Sequence, residues 1–256
     1  MAPAIKTIVT SSFRRIGLDV QKRSSVPFGV HWYQDLKYFP DGSRIDTILD
    51  IGANTGQTAL SISEAFPAAH VHSFEPVPST FERLSANVSK FPNIKAVQCA
   101  MGSAVGTARI TSDNLSETNT LVSNSSATND KAGAFIDVAI NTVDAYCAEN
   151  NIEHIDLLKI DTEGYEMNVL EGAQRMLSEN RVSYILAECE FVSRPNEPHG
   201  DFHSIFRHVT AFGFRIVSFY SGGVDNLGWV WGDVLFRKAT ESDRGHVSTS
   251  PMNESK

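Results

Sequence analysis

The sequence predicts an α/β fold. It reads as a Rossmann-like, mostly parallel seven-stranded sheet with an N-terminal helical extension and an antiparallel C-terminal hairpin. Three observations predict it. From Arg44 onward, short apolar runs alternate with stretches of helical spacing, the pattern of a parallel sheet covered on both faces. The first apolar run ends in a glycine turn that opens a helix. The last two runs have no helix between them, so they pair as a hairpin.

The elements follow in order. Residues 1–43 mix basic residues (Arg14, Arg15, Lys22, Arg23) with aromatics (Phe28, Trp32, Tyr33, Tyr38, Phe39) and are read as an extension that packs against the fold or covers part of a pocket. "DTILDIG" is a strand; "QTALSISEAF" is a helix with Ala59, Ile62 and Phe66 on one face, closed by Pro67. "HVHSFEP" is a strand, and "PSTFERLSANVSKF" a helix capped at Ser79 or Thr80. "NIKAVQCAM" is the third strand. "GTARIT" and "FIDVAIN" are two more, separated by a Ser/Asn/Thr-rich loop over 112–133, long enough to be functional or disordered. "TVDAYCAENN" is a helix, "HIDLLKID" the fourth core strand, and "GYEMNVLEGAQRMLSEN" one continuous helix. "VSYILAECEF" is the fifth core strand, and "DFHSIFRHVTAFG" a helix stopped by Gly213. "FRIVSFY" and "GDVLFRK" form the hairpin across "SGGVDNLGWVW". One domain over 44–239 results, and the polar tail 240–256 is expected to be disordered.

Composition narrows the function classes. The 256 residues carry 30 acids against 22 bases, a net charge of −8, which disfavours a nucleic-acid binder. No apolar run approaches the ~20 residues of a membrane helix, and the N-terminus lacks the apolar centre of a secretory signal. The expected location is cytoplasmic, where the Asn-x-Ser triplets at Asn87, Asn114, Asn124 and Asn253 carry no meaning. Cys99, Cys147 and Cys189 have no metal-type spacing and read as small buried hydrophobes.

The turn "TILDIGANTGQT" decides the ligand. A phosphate loop needs a Lys after its last glycine, and Gly56 is followed by Gln57. A dinucleotide turn needs GxGxxG, but Asn54 takes the middle place. Asp50 closes the strand just before the turn, where a carboxylate repels pyrophosphate and suits a cation. S-adenosylmethionine has a sulfonium, an ammonium and no phosphate. Gly52 and Gly56 allow close backbone approach. Glu75, at the end of the second strand, is placed to accept the two ribose hydroxyls.

"ILDIGANTGQTAL", "HSFEPVPSTFERLSANV", "NTVDAY" and "LLKIDTEGYEMNVLEGA" together resemble the FkbM family of S-adenosylmethionine-dependent methyltransferases, over about Thr47 to Glu190. The resemblance implies a class I methyltransferase fold and an O-methyltransferase acting on hydroxyls of sugars, polyketides and related natural products. It also implies that Asp50, Gly52, Asn54 and Gly56 line the methionine half of the cofactor. Glu75 would hold the ribose, and Ala100 and Met101 would flank the adenine.

Candidate catalytic residues cluster at strand ends. Asp161 and Glu163 in "KIDTEGYE" are two apart, so in extended chain both carboxylates face one way. Crowding raises one carboxyl pKa and makes a base effective near neutrality. The pair could also hold Mg²⁺ through oxygen ligands, although no residue is assigned to a metal. Glu163 competes with a role in the first turn of the next helix, near Glu166. Glu188 and Glu190 repeat the spacing on the fifth strand, with Glu190 taken as the candidate. His203, ahead of His199, is a candidate base from the loop that follows. Trp229 and Trp231 stack on a sugar ring or pack the hairpin.

The expected partner is a small-molecule or glycan acceptor, with a homodimer as one option. Two other readings stay open. One is N-methylation or methylation of protein or RNA; the other is a non-catalytic cofactor-binding subunit.

Overall fold

The computed structural model describes residues 26–39, 41, 44–112, 121–122, 134–192 and 200–240. The calls on the N-terminal 25 residues, most of the 112–133 loop, the end of the chain beyond residue 240 and His199 lie outside these.

A short helix α1 (Trp32–Asp35) precedes the sheet. The remaining elements are β1 (Thr47–Ile51), α2 (Gln57–Ala65), β2 (His70–Phe74), α3 (Pro78–Val88), β3 (Ile94–Val97), β4 (Ala100–Met101), β5 (Gly106–Ser112), β6 (Leu121–Val122), β7 (Ala134–Asn141) and α4 (Val143–Glu149). Then come β8 (Ile155–Ile160), α5 (Glu166–Glu171), α6 (Gln174–Ser178), β9 (Val182–Glu190), α7 (Phe202–Ala211), β10 (Phe214–Asp225) and β11 (Gly228–Lys238).

The main sheet has seven strands in the order β3-β2-β1-β8-β9-β11-β10. The pairs from β3 to β9 are parallel, and β11 is antiparallel to both β9 and β10. This is a Rossmann-like, mostly parallel sheet closed by an antiparallel hairpin. Strand order reverses between β1 and β8, which places a crevice at their carboxyl ends.

Alternation along the strands builds two cores. On one face Leu49, Ile51, Leu158, Ile160, Ile185, Ala187, Val234 and Phe236 pack under α4 to α7. On the other, Ile48, Leu157, Leu186 and Leu235 pack with Ala59, Ile62, Leu84 and Val88 of α2 and α3. The described part of the N-terminal extension lies on this second face. Leu36 is buried there, Asp35 accepts from the Tyr220 hydroxyl at 2.7 Å, and Asp41 from the Tyr184 hydroxyl at 2.8 Å.

Four local expectations differ from the structure. The third strand is broken at Gln98 and Cys99: β3 joins the main sheet, while β4 turns away to pair with β7. β4 thereby founds a second sheet, β4-β7-β5-β6, that the strand pattern did not announce. The helix expected over 164–180 is two helices, parted at Gly172 and Ala173. A Cβ at Gly172 would lie 2.1 Å from the Gly102 carbonyl oxygen, so tertiary packing fixes this point. α3 starts with Pro78 in its first turn and uses neither Ser79 nor Thr80 as a cap. The hairpin extends to Asp225 and Gly228, so most of the expected connection is strand. Among the described residues no helix is long and apolar enough to cross a membrane.

Candidate active site

The residues at the carboxyl ends of β1, β8 and β9 and in the amino-terminal half of the antiparallel β11 share one face. Each strand is apolar at its base and acidic toward the crevice. Ile48 is followed by Asp50, Leu157 by Lys159 and Asp161, and Leu186 by Glu188; on the antiparallel β11, Leu235 is preceded by Asp233. Register brings them together: Asp50 pairs with Lys159, and Glu188 with Asp233.

Lys159 organises the inner part and was not anticipated from the sequence. It is 5% exposed. Its ammonium lies 3.2 Å from Asp50 Oδ1 and 3.2 Å from Asp161 Oδ2, and donates to the Gly52 carbonyl at 3.1 Å. Asp50 is 0% exposed and also accepts from Ser73 Oγ at 3.2 Å. Asp50 is thus neutralised from within the protein rather than presented bare to a ligand. The available signal was a lone lysine in an apolar buried strand, a charge that demands partners. Burial opposes the Lys159 charge, but Asp50 and Asp161 outweigh it and hold the ammonium above its usual range.

The glycine turn is fixed by contact with β8. Gly52 has φ +78°, and a Cβ there would lie 1.6 Å from the Asp161 carbonyl oxygen. Asp161 N donates to Ile51 O at 3.0 Å. Asn54 (φ 47°) and Gly56 (φ 94°) complete the left-handed turn, and Gly56 caps α2. Glu75 lies beside it, 7% exposed, and accepts from Val77 N at 2.9 Å. Burial pushes its carboxyl up to about 7, against the pull of backbone donors at Val77 and Asn54. A nearly buried carboxylate flanked by a turn built from positive-φ residues fits a ligand that brings hydroxyl donors to it.

Asp161, Glu163 and Glu188 bring one carboxylate oxygen each within 4.8 Å of one another. Burial first, then the charges of Asp161, Glu163, Asp233 and Glu166, drive the Glu188 carboxyl far above the usual carboxylate range. Asp233 is raised to about 6, by burial and by Asp161, with Lys159 opposing. The three clustered oxygens are also a hard-donor set of the kind that suits Mg²⁺.

Glu166 holds the loop that carries Asp161 and Glu163. Its Oε1 accepts from Thr162 N (2.9 Å), Thr162 Oγ1 (3.0 Å) and Gly164 N (3.1 Å). Helix α5 begins at Glu166, so Glu163, with φ 52°, belongs to the loop rather than to the helix's first turn.

Other sequence candidates fall elsewhere. Glu190 lies two residues beyond Glu188, at the end of β9, outside the acid group. His203 is on α7 with a side chain 81% exposed; Asp201 is 3.9 Å away and the Phe202 ring 5.7 Å, and it does not join the acids. Ala100 and Met101 are on β4 in the second sheet, and Met101 is 2% exposed within the core. Cys147 and Cys189 are buried, and all three cysteines are free thiols.

Comparison with known proteins gives the family. Residues 50–216 match the family model described as the methyltransferase FkbM domain. The chain is 31% identical over 153 residues to methyltransferase sdnD of Sordaria araneosa, covering 49% of this chain and 59% of that protein. It is 26% identical over 157 residues to the 2-O-methyltransferase NoeI of Sinorhizobium fredii, covering 54% and 61%. To the hexuronic acid methyltransferase AglP of Haloferax volcanii it is 27% identical over 146 residues, covering 56% and 55%. The matches therefore span less than two thirds of these relatives' own lengths.

Proposed function

Because the chain belongs to the FkbM methyltransferase family, we propose that it is an S-adenosylmethionine-dependent O-methyltransferase acting on a hydroxyl of a sugar or another polyhydroxylated natural product. The observation that carries this reading is the crowded acid group beside the glycine turn, where carboxylate oxygens of Asp161, Glu163 and Glu188 lie within 4.8 Å of one another. The names of the relatives NoeI and AglP support a sugar-type acceptor.

When bound, the cofactor supplies an electrophilic methyl carbon on a sulfonium that leaves as a neutral thioether. The protein's work is placement and proton transfer. The Gly52–Gly56 turn would let the backbone approach the methionine half, and Glu75 would accept the ribose hydroxyls. Lys159 fixes Asp161 at the end of β8, where its free oxygen orients the acceptor hydroxyl. Glu188, once ionised, would take the proton of the acceptor hydroxyl. A base in reach contributes about 10²–10⁴-fold, most effectively when its pKa lies near the working pH. Alignment supplies a further large share.

A second reading has its own observation. The three oxygens within 4.8 Å could hold Mg²⁺, which would polarise the acceptor hydroxyl instead. Titrating S-adenosylmethionine by calorimetry into wild type and Glu75→Ala tests the cofactor site; no heat from wild type would overturn the whole proposal. Transfer of labelled methyl to glycoside and polyol pools, with and without EDTA, then separates the two mechanisms. Full activity in EDTA removes the metal, and full activity in Glu188→Gln removes the base.

A further inference from the structure

The acid face continues outward on β11 to an indole. Trp231 is two residues beyond Asp233 on the same strand face, about 7 Å further along, and is paired in register with Glu190 across β9. Its ring lies over Gly223: a Cβ there would sit 2.4 Å from Trp231 Nε1. Trp229 takes the opposite face. A Cβ at Gly222, the neighbouring residue on β10, would meet the Trp231 carbonyl oxygen at 2.1 Å and the Trp229 ring at 2.7 Å. Its ring stands edge-on to Phe191, on the side of the α4–α7 core. Two adjacent glycines thus seat two tryptophans on opposite sides of the hairpin. Trp229, 49% exposed, joins an aromatic cluster, while Trp231, 40% exposed, stands beside Glu190 at the rim of the acid face.

We propose that Trp231 is the platform on which the acceptor's sugar ring rests, with Glu190 receiving hydrogen bonds from its hydroxyls. This rests on the hydroxyl-methylating reading above and names the acceptor class as a neutral hexose. A flat indole bordered by carboxylates matches a ring with an apolar C–H face and hydroxyl donors at its edge. A single ring does not enclose a cation, for which several aromatic walls are the usual device. The acids also disfavour an anionic sugar by like-charge repulsion. Glu190 is then an acceptor-binding residue one step outside the reacting acids.

Saturation-transfer NMR with the methyl glycosides of glucose, galactose and mannose, on protein saturated with S-adenosylhomocysteine, tests this. Binding of S-adenosylhomocysteine is measured beforehand by calorimetry, so failure of the cofactor reading is seen separately. If it does not bind, the glycosides are measured on the protein alone and the same criteria apply. The expected result is saturation concentrated on the ring C–H protons of at least one glycoside. Trp231→Ala should weaken its binding about tenfold. Trp231→Phe should keep most of it, and Trp229→Ala all of it. Equal binding by Trp231→Ala, an equal loss in Trp229→Ala, or no saturation of any of the three glycosides overturns the proposal.

Discussion

Replacing Lys159 with Met tests the charge arrangement at the base of the crevice. The side chain has nearly the same length, so packing is kept while the ammonium is lost. Asp50, fully buried, then loses its only ion pair among the described contacts, and the Gly52 carbonyl loses its ammonium donor. Removing one member of a buried pair costs about 3–5 kcal/mol. For a chain of this size that corresponds to a fall in Tm of roughly 10 °C. Lys159 has a raised pKa, so it stays fully ionised below pH 10.5 and its own titration adds no pH dependence there. In the variant the loss depends on pH. Lys159 also opposes the upward shift of Asp233 and Glu75, so their ionisation becomes harder still without it. Differential scanning fluorimetry at pH 5 and pH 8 should show the larger fall at pH 8, and Asp50→Asn added to the variant should recover more than half of it. A Tm within 2 °C of wild type, or an equal fall at both pH values, would refute the reasoning.

Three other perturbations have definite outcomes. Gly52→Ala forces a left-handed backbone and a clash with the Asp161 carbonyl, costing about 2–4 kcal/mol; cofactor affinity by calorimetry should collapse with it. Glu75 sits near pH 7 when free, and ribose donors favour its charged form, so S-adenosylmethionine affinity should rise with pH up to about 7 and then level off, with proton release seen as buffer-dependent heat; Glu75→Gln should flatten the curve. Glu188 has a raised pKa, so the folded state holds its proton more tightly than the unfolded chain. Wild-type stability therefore falls as pH rises above about 4.5. Glu188→Gln should melt several degrees above wild type at pH 9 and close to it at pH 5.

What could be read in the sequence follows the range of each signal. Strand, turn and helix were legible because Ile48 to Ile51 and Ala59 to Phe66 carry their periods within a few residues. The break between β3 and β4 was not, since pairing with β7 some forty positions on decides it. Nor was the break at Gly172, where the reason is the Gly102 carbonyl. The site divides in the same way. Asp161 and Glu163 stand out as acids two apart at a strand end. Glu188 and Glu190 lie on one face by alternation, and only the depth of Glu188, opposite Asp233, distinguishes them. Asp233 runs the other way on an antiparallel strand, so no local spacing links it to Asp161. His203 looked usable because it follows β9 closely, but α7 carries its side chain into solvent.

The same acid face yields a test that cancels everything except charge. Methyl transfer from a sulfonium to a hydroxyl turns one cation into a neutral thioether and frees one proton. Under the proposed mechanism, Glu188 takes that proton as the cationic charge disappears, so the charge of the crevice is conserved across the step. S-adenosylmethionine and S-adenosylhomocysteine both present a ribose to Glu75, whose pH effect therefore drops out of the ratio of their affinities. What remains is the sulfonium against Asp161, Glu163, Glu188 and Asp233. As Asp233 ionises near pH 6 and Glu188 at higher pH, the face becomes more negative. The preference for the sulfonium should then grow, by roughly fiftyfold for one added charge about 7 Å away at an effective dielectric near 20. Paired calorimetric titrations from pH 5.5 to 9 measure that ratio, and Glu188→Gln should remove its alkaline portion. A ratio that stays flat across the range would mean that these carboxylates do not face the reacting sulfur, and the assignment of Glu188 as base would fall with it.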